Sequence, residues 1–212
     1  MAASSRRVGA ETSKTRDALL DAVETLMIEE GYASVTYRVL AAKAGVTPSL
    51  VQYYFPSVDD IFIAAIRRYS ERNLALLTTA LDARSDDPLS VVWEYSWDEG
   101  TGVLMTEFMA LGNHRKTIRA EIAAVTEKVR KLQLDALRAK YGKDGRPFGD
   151  LSLPAVQLLM SGLPKLINLE EGIGVKSAHK EVVDMFESYL DSVEPQVGKR
   201  KSAYRRGRRM HR

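Results

Sequence analysis

Residues 35–55 read VTYRVLAAKAGVTPSLVQYYF, and this stretch decides the fold of the N-terminal part of the chain. Thr36 and Thr47 each precede a short helical pattern, and a threonine hydroxyl at an N-cap accepts a hydrogen bond from an unpaired N–H of the first turn. Gly45 lies between the two patterns, where glycine adopts positive φ at little steric cost. The stretch therefore predicts two helices joined by a tight turn, a motif that can hold its second helix in the major groove of DNA.

The second predicted helix has an inward and an outward face. Leu50 and Val51 fall at positions that pack inward, and Phe55 closes the end. An amide side chain can hydrogen-bond a base edge in two places, and hydroxyl groups can reach phosphates. The outward positions are Pro48, Ser49, Gln52 and Tyr53. The alternative is two short helices of an ordinary all-α core, which a loose helix-turn-helix pattern also matches.

The order and spacing of these residues resemble the N-terminal domain of TetR-family transcriptional regulators. The match covers residues 13–70, and the length and helical character of the rest agree with the family. Two positions depart from the motif: Gln52 replaces the usual tyrosine, and Val58 replaces a lysine that usually contacts phosphate. The matching residues are Thr36, Arg38, Leu40, Ala41, Ala44, Gly45, Val46, Thr47, Ser49, Val51, Tyr54, Phe55, Ser57 and Ile61.

Periodicity and the resemblance together predict an all-α fold, with a three-helix DNA-binding domain followed by a helical ligand-binding and dimerisation domain. A stripe of apolar residues predicts a first helix over 12–30. Ser57 and Asp60 resemble a capping box that starts the next long helix. The expected segments are a flexible arm at 1–12, the helix-turn-helix domain at 13–57, a linking helix at 57–81, the C-terminal domain at 82–192 and a basic disordered tail at 193–212.

Two late helical segments are too apolar to be half-buried helices. The segment 153–169 has apolar groups on more than one side, with Pro164 expected to kink it. The last helix, 177–190, carries a widened apolar stripe. We expect each to need two partners, and the resemblance implies a homodimer through these last two long helices. The alternative is a pair buried fully within one chain.

The formal net charge of +3 conceals a division within the chain. The segment 198–212 holds eight Lys or Arg residues, so +3 minus these eight positive charges leaves −5 for the rest. Bulk basicity is thus no argument for DNA binding by the body of the protein. Three interpretations of the tail remain open: solvated disorder, residues left over from protein expression, or a nonspecific phosphate-binding arm.

Composition also bears on location. The chain has no cysteine, which fits a reducing compartment, and its first residues carry no apolar signal sequence. No run of apolar residues is long enough for a membrane span. We therefore expect a cytoplasmic protein without a membrane partner.

Catalysis finds little support in the sequence. The three histidines are scattered without metal-ligand spacing, and no G-x-S-x-G is present. Adjacent acidic pairs such as Glu170 and Glu171 point to different helix faces and cannot act together as acid and base. We therefore predict a non-enzymatic protein that needs no cofactor and no metal.

Methionine and aromatic side chains cluster in the C-terminal half, and such residues line adaptable apolar pockets. The resemblance implies a cavity there for a small, largely apolar effector, while plain core packing is the alternative. The predicted ligand-binding residues are Trp93, Trp97, Met105, Phe108, Met109, Met160 and Leu163.

The sequence thus predicts a ligand-responsive, dimeric transcriptional repressor of a pseudo-palindromic double-stranded DNA operator. An activator, a co-repressor-dependent regulator and an all-α small-molecule-binding or storage protein are the alternatives. The residues predicted to contact DNA are Thr36, Arg38, Thr47, Pro48, Ser49, Gln52, Tyr53 and Tyr54.

Overall fold

Helices build the whole of the regular structure in the computed structural model, which describes residues 2–100 and 103–195, with side chains for 14–97 and 104–195. The predicted all-α fold class is confirmed. In these ranges the helices are α1 (Ala2–Glu30), α2 (Tyr37–Ala44), α3 (Pro48–Tyr54), α4 (Val58–Ala83), α5 (Pro88–Gly100), α6 (Val103–His114), α7 (Lys116–Tyr141), α8 (Leu153–Gly172) and α9 (His179–Val193), with a 3₁₀ turn at Tyr32–Ser34.

Local capping fixes the ends of α2, α3 and α4. The Thr36 hydroxyl accepts a hydrogen bond from the Val39 N–H at 3.2 Å. Gly45 follows α2 in the left-handed conformation, with φ 67° and ψ 32°. The predicted capping box is also present, because the Ser57 N–H donates to Asp60 Oδ2 at 2.9 Å and the Asp60 N–H donates to Ser57 Oγ at 3.1 Å. Residue types within the motif therefore set its backbone geometry.

The contacts of the chain divide it into two compact units, the first made of residues 1–71 and 103–125. Its core contains side chains from each of the first four helices, from α6 and from the start of α7. The apolar residues that α1 and α4 contribute to this core include Leu19, Leu20, Val23, Leu26, Met27, Ile61, Ala65 and Ile66, all of them buried.

The second unit comprises residues 72–102 and 126–212. Trp93 is fully buried in its core, stacked on Phe186 with ring centroids 5.4 Å apart. The buried Glu194 carboxylate ties three elements of this unit together. It accepts hydrogen bonds from the backbone N–H groups of Leu89 and Ser90 at 2.9 and 2.8 Å, and from the Tyr141 hydroxyl at 2.6 Å.

Several boundaries differ from the sequence-based expectations. Helix α1 begins at Ala2, so backbone predicted as a flexible arm is helical. Helix α8 has Pro164 inside it, and the kink expected at this proline stays a prediction. Residues 103–125, expected in the C-terminal domain, belong to the N-terminal unit because their apolar side chains, such as Phe108 and Ile118, pack into its core. The tail predicted at 193–212 lies outside the described residues from 196 onward.

Candidate functional site

Helix α3 presents a sharp division between a buried and an exposed face. Val51 is fully buried, whereas Pro48, Ser49 and Gln52 are exposed and the Tyr53 side chain is 75% exposed. The helix is thus anchored on one side and leaves its amide, hydroxyl and phenol groups available on the other. Such a face can reach base edges and phosphates of a duplex.

The threonines at the two helix starts cap their helices and are exposed. Thr47 Oγ1 accepts from the Leu50 N–H at 3.4 Å and lies 3.0 Å from Ser49 Oγ. The Thr36 hydroxyl is used in the same way at the start of α2. The Thr36 hydrogen can therefore still be donated to a phosphate oxygen. One of the Thr47 and Ser49 hydroxyls donates to the other, so the pair keeps one hydrogen for an external acceptor.

Tyr54 and Arg38, the remaining two predicted DNA residues, differ in their surroundings. The Arg38 side chain is exposed on α2. Tyr54 is half-buried against the N-terminal core, and its ring meets Tyr53 edge to face at 5.3 Å. All eight predicted DNA residues therefore belong to α2, α3 or their caps, and Tyr54 also takes part in packing.

A tyrosine that sequence reasoning did not single out holds the two helices of the motif together. The Tyr37 hydroxyl donates to the Phe55 carbonyl at 3.0 Å, which links the start of α2 to the end of α3. Burial, and then the nearby Asp60 carboxylate, raise the pKa of Tyr37. Its hydroxyl therefore keeps the proton that makes this hydrogen bond.

The first turn of α4, directly after the motif, carries an ion pair instead of a free cation. Val58, where the resemblance expects lysine, is half-buried and packs on the core. Asp59 accepts a hydrogen bond from the Thr117 hydroxyl at 2.6 Å and pairs with Arg115. The Thr117 hydrogen bond and the Arg115 guanidinium lower the pKa of Asp59. This turn is consequently acidic or apolar on its outer surface.

The seven predicted ligand-binding residues fall into two groups. Trp93, Trp97, Met160 and Leu163 belong to the core of the second unit, where the two indole rings meet edge to face at 5.6 Å. The Trp93 indole N–H is buried and has no hydrogen-bond partner among the described residues. The other three residues are in the first unit: Phe108 is buried in its core, Met105 is half-buried and Met109 is exposed.

Two acidic residues near this aromatic cluster in sequence have partners within the chain. Glu94 pairs with Arg84 at 3.0 Å. Glu107 accepts the Tyr32 N–H at 2.7 Å. These carboxylates are thus occupied by contacts of the fold, and the side chains of Asp98 and Glu99 lie outside the described residues.

An open groove of about 470 Å³ lies between α7 and α8 in the second unit. Leu134, Pro154 and Leu158 contribute apolar surface to it, and Arg130 and Arg138 contribute charge. None of the seven predicted ligand-binding residues lines this groove. The groove is therefore separate from the tryptophan cluster, which consists of Trp93, Trp97, Met160 and Leu163.

Helix α8 exposes a line of large apolar side chains along one side. Leu158, Leu159, Leu166 and Leu169 are 40–56% exposed, and Met185 of α9 is 50% exposed. Gly162 lies within the same stripe, where an added Cβ would meet no atom within 4 Å. The alternative in which these two helices are fully buried within one chain is wrong, because the leucines remain uncovered.

Metal chemistry finds no candidate in the described ranges, where no group of three His, Cys, Asp or Glu side chains is arranged to hold an ion. Of the helices within residues 2–100 and 103–195, none combines the length and apolar character needed to cross a membrane.

Comparison with known proteins shows which proteins this chain resembles. Residues 19–65 match the model described as bacterial regulatory proteins, tetR family. The HTH-type transcriptional repressor BepR of Brucella suis biovar 1 (strain 1330) is 28% identical over 147 residues, which is 65% of this chain and 68% of BepR.

Solved structures agree on the fold. One assigned to the TetR family, from Rhodococcus sp., superposes with a TM-score of 0.67 and 19% identity, covering 85% of this chain and 99% of that one. A second, a candidate transcriptional regulator from Saccharomonospora viridis in complex with choline, gives 0.64 and 17%, covering 89% of this chain and 100% of that one.

Proposed function

We propose that this chain, a TetR-family transcriptional regulator, is a dimeric repressor that binds a pseudo-palindromic operator and is released by a small molecule. The exposed polar face of α3 carries the proposal. Its Ser49, Gln52 and Tyr53 side chains project from a helix whose other face is anchored by the buried Val51. The name of the Brucella relative supports repression over activation.

Base reading is assigned to Arg38, Ser49 and Gln52, whose side chains are all exposed. Gln52 can bond the N6 and N7 groups of adenine in a bidentate manner, and Arg38 can bond O6 and N7 of guanine. The hydroxyl groups of Thr36, Thr47, Tyr53 and Tyr54 are assigned to phosphates. Phosphate contacts set the register of the protein on the duplex, and base contacts select the sequence.

Dimerisation is assigned to the exposed leucine stripe of α8 together with Met185 of α9. Large apolar side chains aligned on one helix face are a typical sign of a protein–protein interface. A twofold axis through this stripe would pair the two copies isologously. Two copies of α3 would then enter successive major grooves about 34–36 Å apart.

The effector is assigned to the tryptophan cluster of the second unit. Trp93, Trp97, Met160 and Leu163 share one apolar core, and the buried Trp93 N–H lacks a partner in the described part of the chain. A buried donor without an acceptor is uncommon in a native structure, so a ligand acceptor would satisfy it. Choline bound to the Saccharomonospora structure is a small molecule on the same fold.

Release of the protein from the operator would follow if the effector binds two conformations of the protein with different affinity. An effector that binds better to the conformation with misplaced DNA-binding units shifts the population away from the operator. Helix α4 is the candidate lever, because residues 58–71 belong to the first unit and 72–83 to the second.

DNA selection tests the DNA-binding half of the proposal. Full-length protein is incubated with a pool of randomised 30-bp duplexes, and the bound fraction is amplified and sequenced over several rounds. We expect an inverted repeat to emerge, with log Kd for the selected duplex rising steeply and linearly with log salt concentration. Enrichment of no sequence, or of an unrepeated one, would contradict the proposal.

Tryptophan fluorescence tests the effector half, because the only two tryptophans of the chain are Trp93 and Trp97. Small aromatic and quaternary ammonium compounds are titrated into the protein, and operator affinity is measured for each compound that changes the emission. We expect such a compound to weaken operator binding about fivefold or more. This corresponds to a coupling free energy of roughly 1 kcal/mol or more between the effector site and the DNA-binding site. Compounds that shift the emission without altering operator affinity would contradict the assignment.

A further inference from the structure

Helix α3, which we call the recognition helix, and the first turn of α4 provide little positive charge for binding DNA, a polyanion. Helix α3 contains no Lys or Arg, and the first turn of α4 contains Asp59 and Asp60. Neutralising phosphates with cations supplies much of the affinity of proteins for DNA. The N-terminal unit must therefore draw its phosphate-binding cations from outside these two elements.

Most described cations of that unit already have partners within the fold. Lys43 pairs with Glu29 at 2.7 Å, and Arg67 pairs with Glu121 at 2.7 Å. Arg68 binds Asp21 and Glu24, Arg115 binds Asp59, and Arg119 donates to the carbonyls of Gly112 and Asn113. Four side chains form no ion pair with any described carboxylate: Lys14, Arg16, Arg38 and Lys116.

Arg16 differs from the other three because a contact holds it beside α3. Its guanidinium carbon lies 5.5 Å from the centroid of the Phe55 ring, and Phe55 directly follows the last residue of α3. The Phe55 ring is itself fixed, since this residue is only 2% exposed and its carbonyl accepts the Tyr37 hydroxyl at 3.0 Å. The exposed Arg16 is thus placed at the C-terminal end of the recognition helix by a cation–π contact.

We propose that Arg16 contacts a phosphate that flanks the major groove in which α3 lies. The contact rests on the proposed function, because it presupposes that α3 enters the groove. Stacking on Phe55 occupies one face of the guanidinium and leaves its N–H groups, which point out from the rim of the plane, free to donate. The aromatic ring keeps the side chain in position, so little of its conformational freedom is lost when a phosphate binds.

The test compares Arg16→Gln with Arg16→Lys and with Lys128→Gln. Lys128 is an exposed residue of α7 in the second unit, so its variant has the same net charge as Arg16→Gln. The probes are the duplex selected by wild-type protein and an unrelated duplex of equal length. Binding is followed by fluorescence anisotropy between 50 and 300 mM salt, and thermal unfolding of each variant confirms that the fold is kept.

We expect Arg16→Gln to reduce the slope of log Kd against log salt by about 0.9 per subunit. Its affinity should fall for the selected and the unrelated duplex alike, because a phosphate contact carries no sequence information. Arg16→Lys should retain most of the slope, and Lys128→Gln should match wild type. These results would distinguish a phosphate contact from a purely structural role, which would lower the unfolding temperature and leave the slope unchanged.

The inference is overturned if Arg16→Gln keeps the wild-type slope and affinity, or if Lys128→Gln lowers the slope equally. In either case wild-type protein still selects and binds its duplex, so the proposed function stands. Absence of selective binding by wild-type protein would overturn both.

Discussion

At the scale of single residues, Gln52 is the side chain with the most specific expected effect on DNA recognition. It is exposed on α3 and, within that helix, has the only amide group that can bond two positions of one base. We predict that Gln52→Ala relaxes discrimination at one base pair of each half-site by about 1–3 kcal/mol and leaves the other positions unchanged. Affinities for a panel of single-substituted operators measure this, and an unaltered preference at every position would refute the assignment.

Asp59 gives a pH-dependent prediction. The Thr117 hydroxyl and the Arg115 guanidinium lower the pKa of Asp59 in the folded protein. A carboxyl group with a depressed folded pKa stabilises the protein above its unfolded pKa, and this stability is lost as pH falls through the folded value. We predict that Asp59→Asn lowers the free energy of unfolding at pH 7 by about 1 kcal/mol, as expected for a partly exposed charged hydrogen bond.

Urea unfolding of Asp59→Asn at pH 7 and at successively more acid pH measures this difference, which should shrink toward low pH. The control is Asp86→Asn, since the Asp86 side chain is 97% exposed and 3.6 Å from Lys140. A constant difference between Asp59→Asn and wild type at all pH values would show that the carboxylate charge is not responsible.

At the scale of elements, Glu194 acts as a cap supplied from far along the chain. Its buried carboxylate accepts the Leu89 and Ser90 N–H groups of α5, the Ser90 hydroxyl and the Tyr141 hydroxyl. We predict that Glu194→Ala lowers the free energy of unfolding by roughly 2–4 kcal/mol, because it leaves several buried donors unpaired. Tyr141→Phe, which removes one of the four donors, should cost about 1 kcal/mol.

Chemical denaturation measures both variants, with Glu127→Ala as control because the Glu127 side chain is 74% exposed. If Glu194→Ala is as stable as this control, the carboxylate does not hold α5, α7 and the end of α9 together.

The elements also show which parts of the fold the sequence could predict. The boundaries of α2 and α3 follow from residues within the motif, since Thr36, Gly45 and Thr47 act on backbone groups one to four positions away. The early start of α1 and the packing of α6 with the N-terminal unit were missed, because neither has a local signal of comparable strength. Likewise, the Tyr37–Phe55 hydrogen bond and the Arg16–Phe55 contact join residues distant in sequence.

The seven residues predicted to bind a ligand do not share one core, for a related reason, and their ligand role stays a prediction. Clustering along the sequence grouped Phe108 with Trp93, but the fold assigns them to the cores of different units. Residues close in sequence and separated by a helix boundary need not share a core. The helix faces, by contrast, were well predicted, because the apolar period of a helix is a local property.

At the scale of the whole molecule, the leucine stripe of α8 predicts the oligomeric state. Leu166 is 52% exposed at its centre, so a charge placed there would be desolvated in a twofold interface. We predict that Leu166→Glu is monomeric with unchanged helicity and binds the operator at least tenfold more weakly than wild type. Analytical ultracentrifugation and anisotropy measure the two effects.

The matched control is Leu76→Glu, which introduces the same charge at a leucine of α4 that is 61% exposed. It should leave the sedimentation coefficient unchanged. Dimeric Leu166→Glu, or wild-type protein that sediments as a monomer, would contradict the assignment of the interface.

Methylation interference on the selected operator tests the central claim, that two copies of α3 occupy successive major grooves. Dimethyl sulfate modifies guanine N7, which lies in the major groove, so interference reports where a helix enters it. We predict two symmetric clusters of interfering guanines with centres about 10–10.5 bp apart, or a multiple of this. A single cluster, or strong binding with no interference at guanine N7, would contradict the account.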